Sequence, residues 1–306
     1  MFVTQSPIQS KARILARRSA STLVLWGLVA GIFVSGQSWA YVGLVSGLAM
    51  IATIEYFQML RAASVRCFPK FGITSAAIYL ACIFWFLLSE AKALPSDFDA
   101  FAFFAVIVGC FVMQLREPID GIDSLRAIAA NILGFVYIAF LFSFVSRLIF
   151  SIPNPHVIGD RVGDSGAFLL LWLLAVTKFT DMGAYIVGSM IGRHKMIPHI
   201  SPGKTWEGFV GALIFSQLAA CGLYWLFPIQ LECLMGWKHV IVLAFILAVL
   251  AVLGDLAESI VKRALLAKDS GKLFPGIGGS LDLIDSICFT APALYFYLKW
   301  MLPNAA

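Results

Sequence analysis

Nine apolar runs separated by short polar or basic segments constrain this chain more than any other feature of it. They extend approximately from Ser19 to Gly36, Trp39 to Phe57, Gly72 to Ser89, Phe98 to Leu115, Ala127 to Phe150, Gly166 to Ile191, Phe209 to Phe227, His239 to Glu258 and Ile287 to Trp300. Crossing the hydrocarbon layer of a bilayer takes roughly 20 apolar residues in a helix. No water is present there to satisfy backbone N–H and C=O groups, so each run must pair them internally, as a helix does. Composition agrees, since 60% of the 306 residues are hydrophobic and 13% are charged, about half the charged fraction of a typical soluble domain. The runs consume nearly all of the apolar content and leave nothing for a separate soluble core. The chain is therefore read as an all-α, polytopic integral membrane protein of about nine transmembrane helices. It forms a single membrane domain over residues 1–306, and an ordinary water-soluble enzyme is excluded.

The cations set an orientation. With a cytoplasmic N-terminus and nine spans, sixteen of the 22 Lys and Arg residues fall on the cytoplasmic side. Five (Lys92, Arg147, Arg161, Lys238 and Lys299) fall outside, and Lys178 lies within a span. This asymmetry satisfies the positive-inside rule and predicts an outward-facing C-terminus. Lys11, Arg13, Arg17 and Arg18 precede the first run, and Ser38-Trp39-Ala40 resembles a signal-peptidase site. Cleavage after Ala40 is thus one reading; the second apolar run, which follows at once, favours an uncleaved signal anchor. The net charge of +5 is scattered rather than gathered into a stripe that could track a nucleic-acid backbone, so nucleic acid is not an expected partner. Six cysteines without CxxC spacing read as structural thiols.

The two halves differ. Up to residue 150 the spans are charge-poor, whereas over 166–302 ionisable residues enter or border the membrane. Such residues are costly there and are functional candidates by default. Lys178 and Asp181 are three apart on one helical face, which suits either an ion pair inserted as a unit or an acid at a polar cavity. Ser201-Pro202-Gly203-Lys204-Thr205-Trp206-Glu207-Gly208 ends like a Walker A loop, but Pro198 occupies the required glycine position and the preceding segment reads as a membrane helix rather than a strand, which excludes a P-loop. The segment reads either as a basic loop serving topology or as a phosphate site at the start of a helix near Thr205. The densest cluster runs from Gly254 to Asp285. Asp255, Glu258, Ser259 and Lys262 follow the i, i+3, i+4, i+7 spacing of one helix face, and Asp282 and Asp285 share another. Carboxylates of this kind suit Mg²⁺ held together with substrate phosphates. Glycines let backbone N–H groups approach phosphate oxygens, and Lys262, Arg263, Lys268 and Lys272 supply positive charge. Together they favour phosphate chemistry.

From Ser259 to Asp285 the sequence resembles the C-terminal signature of the phosphatidate cytidylyltransferase (CDP-diacylglycerol synthase) family. Ser259, Lys262-Arg263, Lys268-Asp269, Ser270, Pro275, Gly278-Gly279, Asp282 and Asp285 match in order and spacing. Gly254-Asp255-Leu256 with Glu258-Ser259, Ser201-Pro202 with Lys204-Thr205-Trp206-Glu207-Gly208, and Asp181 with Gly183-Ala184-Tyr185 are similar to further family segments. The resemblance covers about Gly166 to Trp300 and implies conversion of CTP and phosphatidate to CDP-diacylglycerol and pyrophosphate. It implies a divalent cation, Mg²⁺ or Mn²⁺, with room for a second cation. Asp255 and Asp282 would be the principal metal carboxylates and Asp285 their support, with Lys268 and Asp269 in the catalytic set. Ser201, Lys204, Thr205, Ser259, Lys262, Arg263, Gly278, Gly279 and Asp181 would bind substrate. A bacterial inner-membrane location and a homodimer complete the expectations.

The family usually has His where Ile277 stands and Arg where Leu283 stands; Met182 replaces the usual Thr, and Lys178 is an added charge. Ile and Leu cannot replace the lost donors and charge. Lys178 would restore part of that charge if its span packs against the last two. Two alternatives are a degenerate or altered-specificity CTP-dependent lipid or prenol transferase and, in another class, an ion-coupled membrane transporter. Transporters usually show two related halves, and no internal repeat is visible here.

Overall fold

The protein is described by a computed structural model over residues 27–89, 94–150, 164–271 and 278–302. Residues 19–26 of the first run, the basic residues ahead of it, Lys92, Arg161, Lys272, Pro275 and Ile277 lie outside the described residues. A helical stretch at 27–35 precedes α1 (Ser38–Ala62), α2 (Pro69–Leu88), α3 (Phe98–Gln114) and α4 (Gly121–Phe150). Then come α5 (Asp164–Ile191), an antiparallel pair β1 (Lys195–Ile197) and β2 (Ser201–Thr205), α6 (Trp206–Leu226), α7 (Trp237–Ala264) and α8 (Ser280–Met301).

Among the described residues, seven helices are long and apolar enough to cross a membrane: α1, α2, α4, α5, α6, α7 and α8. The expected nine spans correspond to these seven, the shorter apolar helix α3 and the run that begins before residue 27. At 17 residues, α3 reaches about 25 Å, short of the hydrocarbon thickness of about 30 Å. The candidate cleavage point after Ala40 falls in the first turn of α1. Two boundaries also move. The last helix starts at Ser280 rather than near Ile287, so Asp282 and Asp285 both lie within it. The loop expected before α6 is a β-hairpin, a departure from an all-helical reading.

Local chemistry explains the helix starts. Pro69 opens α2, a position where its missing N–H is not needed. The Thr205 hydroxyl accepts the Gly208 N–H at 3.1 Å and caps α6, as a β-region Thr does at an N-cap. Helices α5 and α6 approach closely through small residues. A Cβ on Gly183 would stand 2.5 Å from the Gly211 carbonyl oxygen, and one on Gly211 would stand 2.7 Å from the Gly183 carbonyl oxygen. Without water to drive apolar surfaces together, such close packing is what holds membrane helices to one another. The core includes the buried Phe57, Phe135, Phe144 and Trp172, and the Trp172 indole N–H donates to the Ala220 carbonyl at 3.1 Å. Phe101, Phe104, Leu218 and Trp225 point outward, as lipid-facing side chains do. All six cysteines are unpaired, and burial pushes the Cys233 thiol up to about 12.

Contacts between loops sort the helix ends into two faces. On one, Arg66 after α1 pairs with Glu117 after α3 at 3.2 Å, and the Arg263 guanidinium donates to the hairpin carbonyl of Ile200 at 3.4 Å. On the other, Arg147 at the end of α4 pairs with Asp99 at the start of α3 at 2.6 Å, and His239 of α7 meets Tyr297 of α8 at 3.0 Å. The polar segments 192–208 and 262–285 belong to the first face.

Candidate active site

Four segments build the site: the middle of α5, the hairpin, the last turns of α7 and the first turns of α8. On α7 the 3.6-residue period stacks Asp255, Glu258 and Lys262 on one face. Asp285 of α8 is brought opposite them because Gly254 leaves room, a Cβ there standing 2.8 Å from the Asp285 carbonyl oxygen. Carboxylate oxygens of Asp255, Glu258 and Asp285 lie within 4.8 Å of one another. Glu258 is 2% exposed, and its Oε1 has no hydrogen-bond partner among the described residues. A buried, unmatched carboxylate oxygen beside two further carboxylates is a donor set that suits a hard divalent cation, so these residues fit the metal the sequence led us to expect.

The converging trio differs from the expected one. Asp282 is turned to other work: its Oδ2 accepts the Gly279 N–H at 2.7 Å, the Ser270 N–H at 3.2 Å and the Ser270 hydroxyl at 2.8 Å. Its Oδ1 accepts from Lys262 Nζ at 2.8 Å. This carboxylate thus satisfies orphan donors at the start of α8 and ties Ser270 to it, while Glu258 takes the third place in the cluster. Glycine is required at 278, where φ is +124° and a Cβ would press on the Asp282 carboxylate.

Two lysines flank the acids. Lys204 Nζ stands 2.8 Å from Asp255 Oδ2 and donates to the Val252 carbonyl at 3.1 Å. Lys262 Nζ lies 2.6 Å from Glu258 Oε2 as well as bonding Asp282. A third, Lys178, reaches across from α5 to donate to the Leu283 carbonyl at 3.3 Å and lies 3.7 Å from Asp181 Oδ2. The span of Lys178 does pack against α7 and α8, and its ammonium sits against the backbone of Leu283, where Arg was expected.

A cavity of about 490 Å³ is lined by Asp181, Tyr185, Lys195, Ser201, Lys204, Thr205 and Asp255, among others. A second, of about 330 Å³, is lined by Asp181, Asp255, Glu258, Lys262, Asp269, Asp282, Asp285 and Ser286. Asp181 and Asp255 belong to both, so the two are contiguous. Of the sequence-derived candidates, Ser259, Arg263, Lys268, Gly278 and Gly279 line neither cavity. Arg263 is engaged with the hairpin instead, and Lys268 is exposed. Sequence reasoning did not single out Glu55, a buried acid of α1 that accepts the Leu281 N–H at 3.1 Å. Its signal was present as the single charge of the apolar run from Trp39 to Phe57.

Fold and site together define a polytopic helical membrane protein with a lysine-flanked carboxylate cluster at one membrane face. The chain matches the cytidylyltransferase family over residues 16–301 and belongs to that family. It is 29% identical over 306 residues to a phosphatidate cytidylyltransferase of Synechocystis sp., covering 94% of this chain and 97% of that protein. It is 43% identical over 135 residues to a phosphatidate cytidylyltransferase of Staphylococcus haemolyticus, covering 44% and 48% of the two chains. To an uncharacterised Escherichia coli K12 protein, YnbB, it is 29% identical over 279 residues, covering 90% of this chain and 85% of the relative.

Proposed function

We propose that this protein is a phosphatidate cytidylyltransferase that joins CTP to phosphatidate, making CDP-diacylglycerol and releasing pyrophosphate. The observation that carries the reading is the convergence of Asp255, Glu258 and Asp285, with Lys204 and Lys262 on either side, in a chain of the cytidylyltransferase family. Membership over residues 16–301 weighs against the transporter alternative. The proposed location is the bacterial inner membrane with the site cytoplasmic, where CTP arrives from water and the lipid enters sideways from the leaflet.

In the proposed step an oxygen of the phosphatidate phosphate attacks the α-phosphorus of CTP. The bond from that phosphorus to the bridging oxygen breaks, and pyrophosphate leaves with the electron pair. No covalent protein intermediate is required. Asp255, Glu258 and Asp285 would hold a divalent cation, which would supply Lewis-acid stabilisation to the transferring phosphoryl group. Lys204 and Lys262 offer ammonium donors to phosphate oxygens, and such donors, fixed before the reaction, stabilise charge as it develops. Each is held by a carboxylate at 2.6–2.8 Å, so its position is set in advance. Asp282 orients Lys262 and bonds Ser270 and Gly279. The two cavities share Asp181 and Asp255 and so adjoin at the acids. Ser201 and Thr205 add hydroxyls to the wall of the larger one.

The test is an assay of purified protein with labelled CTP and phosphatidate, with Asp282→Ala alongside. Wild-type protein is expected to form CDP-diacylglycerol, and the variant to be slower by about tenfold or more, since several charge-assisted hydrogen bonds are lost. No product from well-folded wild-type protein with either Mg²⁺ or Mn²⁺ would remove the reaction; equal rates would remove Asp282 from the site. A second expectation concerns Lys178. Replacing it by Met keeps the length of the side chain and deletes its charge, and is expected to lower kcat/KM by about fivefold to tenfold, the range of one partly exposed charged hydrogen bond. Full activity in Lys178→Met would show that the charge missing at Leu283 is not supplied by this lysine.

A further inference from the structure

We infer that Glu55, in the charge-poor first half of the chain, is a positioning residue for the site, acting through the first turn of α8; the inference rests on the reaction proposed above. Glu55 is 5% exposed and lies two turns from the end of α1. Its Oε2 accepts the Leu281 N–H at 3.1 Å, across 226 residues of sequence. On the same turn Asp282 accepts the Gly279 N–H. Two carboxylates from opposite ends of the chain therefore share the unsatisfied donors of one helix start, where negative charge is favoured. A second tether joins the same pieces, the Ser280 hydroxyl donating to the Leu48 carbonyl at 2.9 Å.

Gly271 and Gly279 both lie close against this acid. A Cβ on Gly271 would overlap the Glu55 carboxylate, and one on Gly279 would overlap the Ser270 hydroxyl and stand 2.5 Å from Glu55 Oε2. Glycine at both positions is thus explained by the close approach of Glu55, without appeal to a ligand. Ser270 and Gly279, which flank the acid, are the residues that hold Asp282, and Asp282 in turn holds Lys262. The chain of contacts runs from Glu55 through Ser270, Gly279 and Asp282 to a lysine at the cavity. The N-terminal spans consequently contribute to the site itself as well as to its anchoring.

The experiment compares wild type, Glu55→Ala and Glu55→Gln as detergent-purified full-length protein. Glutamine keeps an oxygen that can accept from Leu281, so a positioning role predicts rescue by the conservative variant. Glu55→Ala is expected to lose about tenfold or more in kcat/KM, the scale of a buried charge-assisted hydrogen bond, and Glu55→Gln to stay within about threefold of wild type. Hydrogen–deuterium exchange of peptides covering 278–285 supplies a readout independent of turnover, with exchange expected to be faster in Glu55→Ala and near wild type in Glu55→Gln. A third arm adds Gly271→Ala: it is expected to be damaging alone and to add little on top of Glu55→Ala, because the collision is then gone. Unchanged exchange in Glu55→Ala, or activity within about twofold of wild type, would overturn the inference. If wild-type protein makes no CDP-diacylglycerol, the reaction falls, while the exchange experiment still decides whether Glu55 holds the turn.

Discussion

Asp285→Asn is expected to lower the rate of CDP-diacylglycerol formation by about 10²–10³-fold, the loss that follows removal of one preorganised electrostatic group from a transition state. The substitution changes charge and little else. Asp285 is buried, and its Oδ1 accepts the Ser286 N–H at 2.5 Å, a bond that an asparagine oxygen can keep. The fold should survive, which monodisperse extraction would verify. What is removed is one of three carboxylates whose oxygens converge within 4.8 Å, so the Mg²⁺ or Mn²⁺ concentration giving half-maximal rate should rise as the rate falls. Glu258→Gln provides the discriminating arm. If Asp255, Glu258 and Asp285 hold the cation, Glu258→Gln shifts the metal dependence as Asp285→Asn does. If Glu258→Gln leaves that dependence unchanged, Glu258 has no place in the set and the assignment drawn from the orphaned Oε1 is wrong.

Much of this site was legible in the sequence, for identifiable reasons. The membrane architecture follows from apolar runs whose length the bilayer dictates, and the alternation of the loops follows from which runs cross. Helical spacing also brings Asp255, Glu258 and Lys262 to one face. Three things were not legible. Which carboxylates converge depends on how α8 is rotated against α7, and that rotation is set by the contact of Gly254 with Asp285 and Ser286. Spacing alone treats Asp282 and Asp285 as equivalent; packing makes one a helix-start acceptor and the other a member of the cluster. The role of Glu55 depends on a contact between residues more than two hundred positions apart, for which a single sequence holds no local signal beyond the charge itself. The β-hairpin was missed for a different reason. A short Pro- and Gly-containing segment between two spans carries too little alternation to be read as a strand pair, and the contact of Arg263 with Ile200 that ties it to α7 joins residues 63 apart.

Lys262→Met is expected to damage stability as well as turnover. Lys262 Nζ is the shared partner of Glu258 at 2.6 Å and Asp282 at 2.8 Å, and both acids are largely shielded, with side chains 2% and 14% exposed. Taking the cation away leaves two carboxylates facing each other across the α7–α8 contact. Breaking a buried pair on one side costs about 3–5 kcal/mol in soluble proteins, which corresponds to a fall of about 10 °C in the midpoint of thermal unfolding for a chain of this size class. Removing one of the stranded charges should undo part of that loss. The double variant Lys262→Met, Asp282→Asn is therefore expected to recover thermal stability relative to Lys262→Met while remaining poorly active, because the ammonium that faces the phosphates is still missing. Stability and catalysis would then separate at one residue. A fall of less than about 2 °C in Lys262→Met would mean that the acids are relieved by water or by protonation, and the lysine could not be the strut between the two helices. Recovery of full activity in the double variant would place the role of Lys262 in balancing Asp282 rather than in meeting substrate.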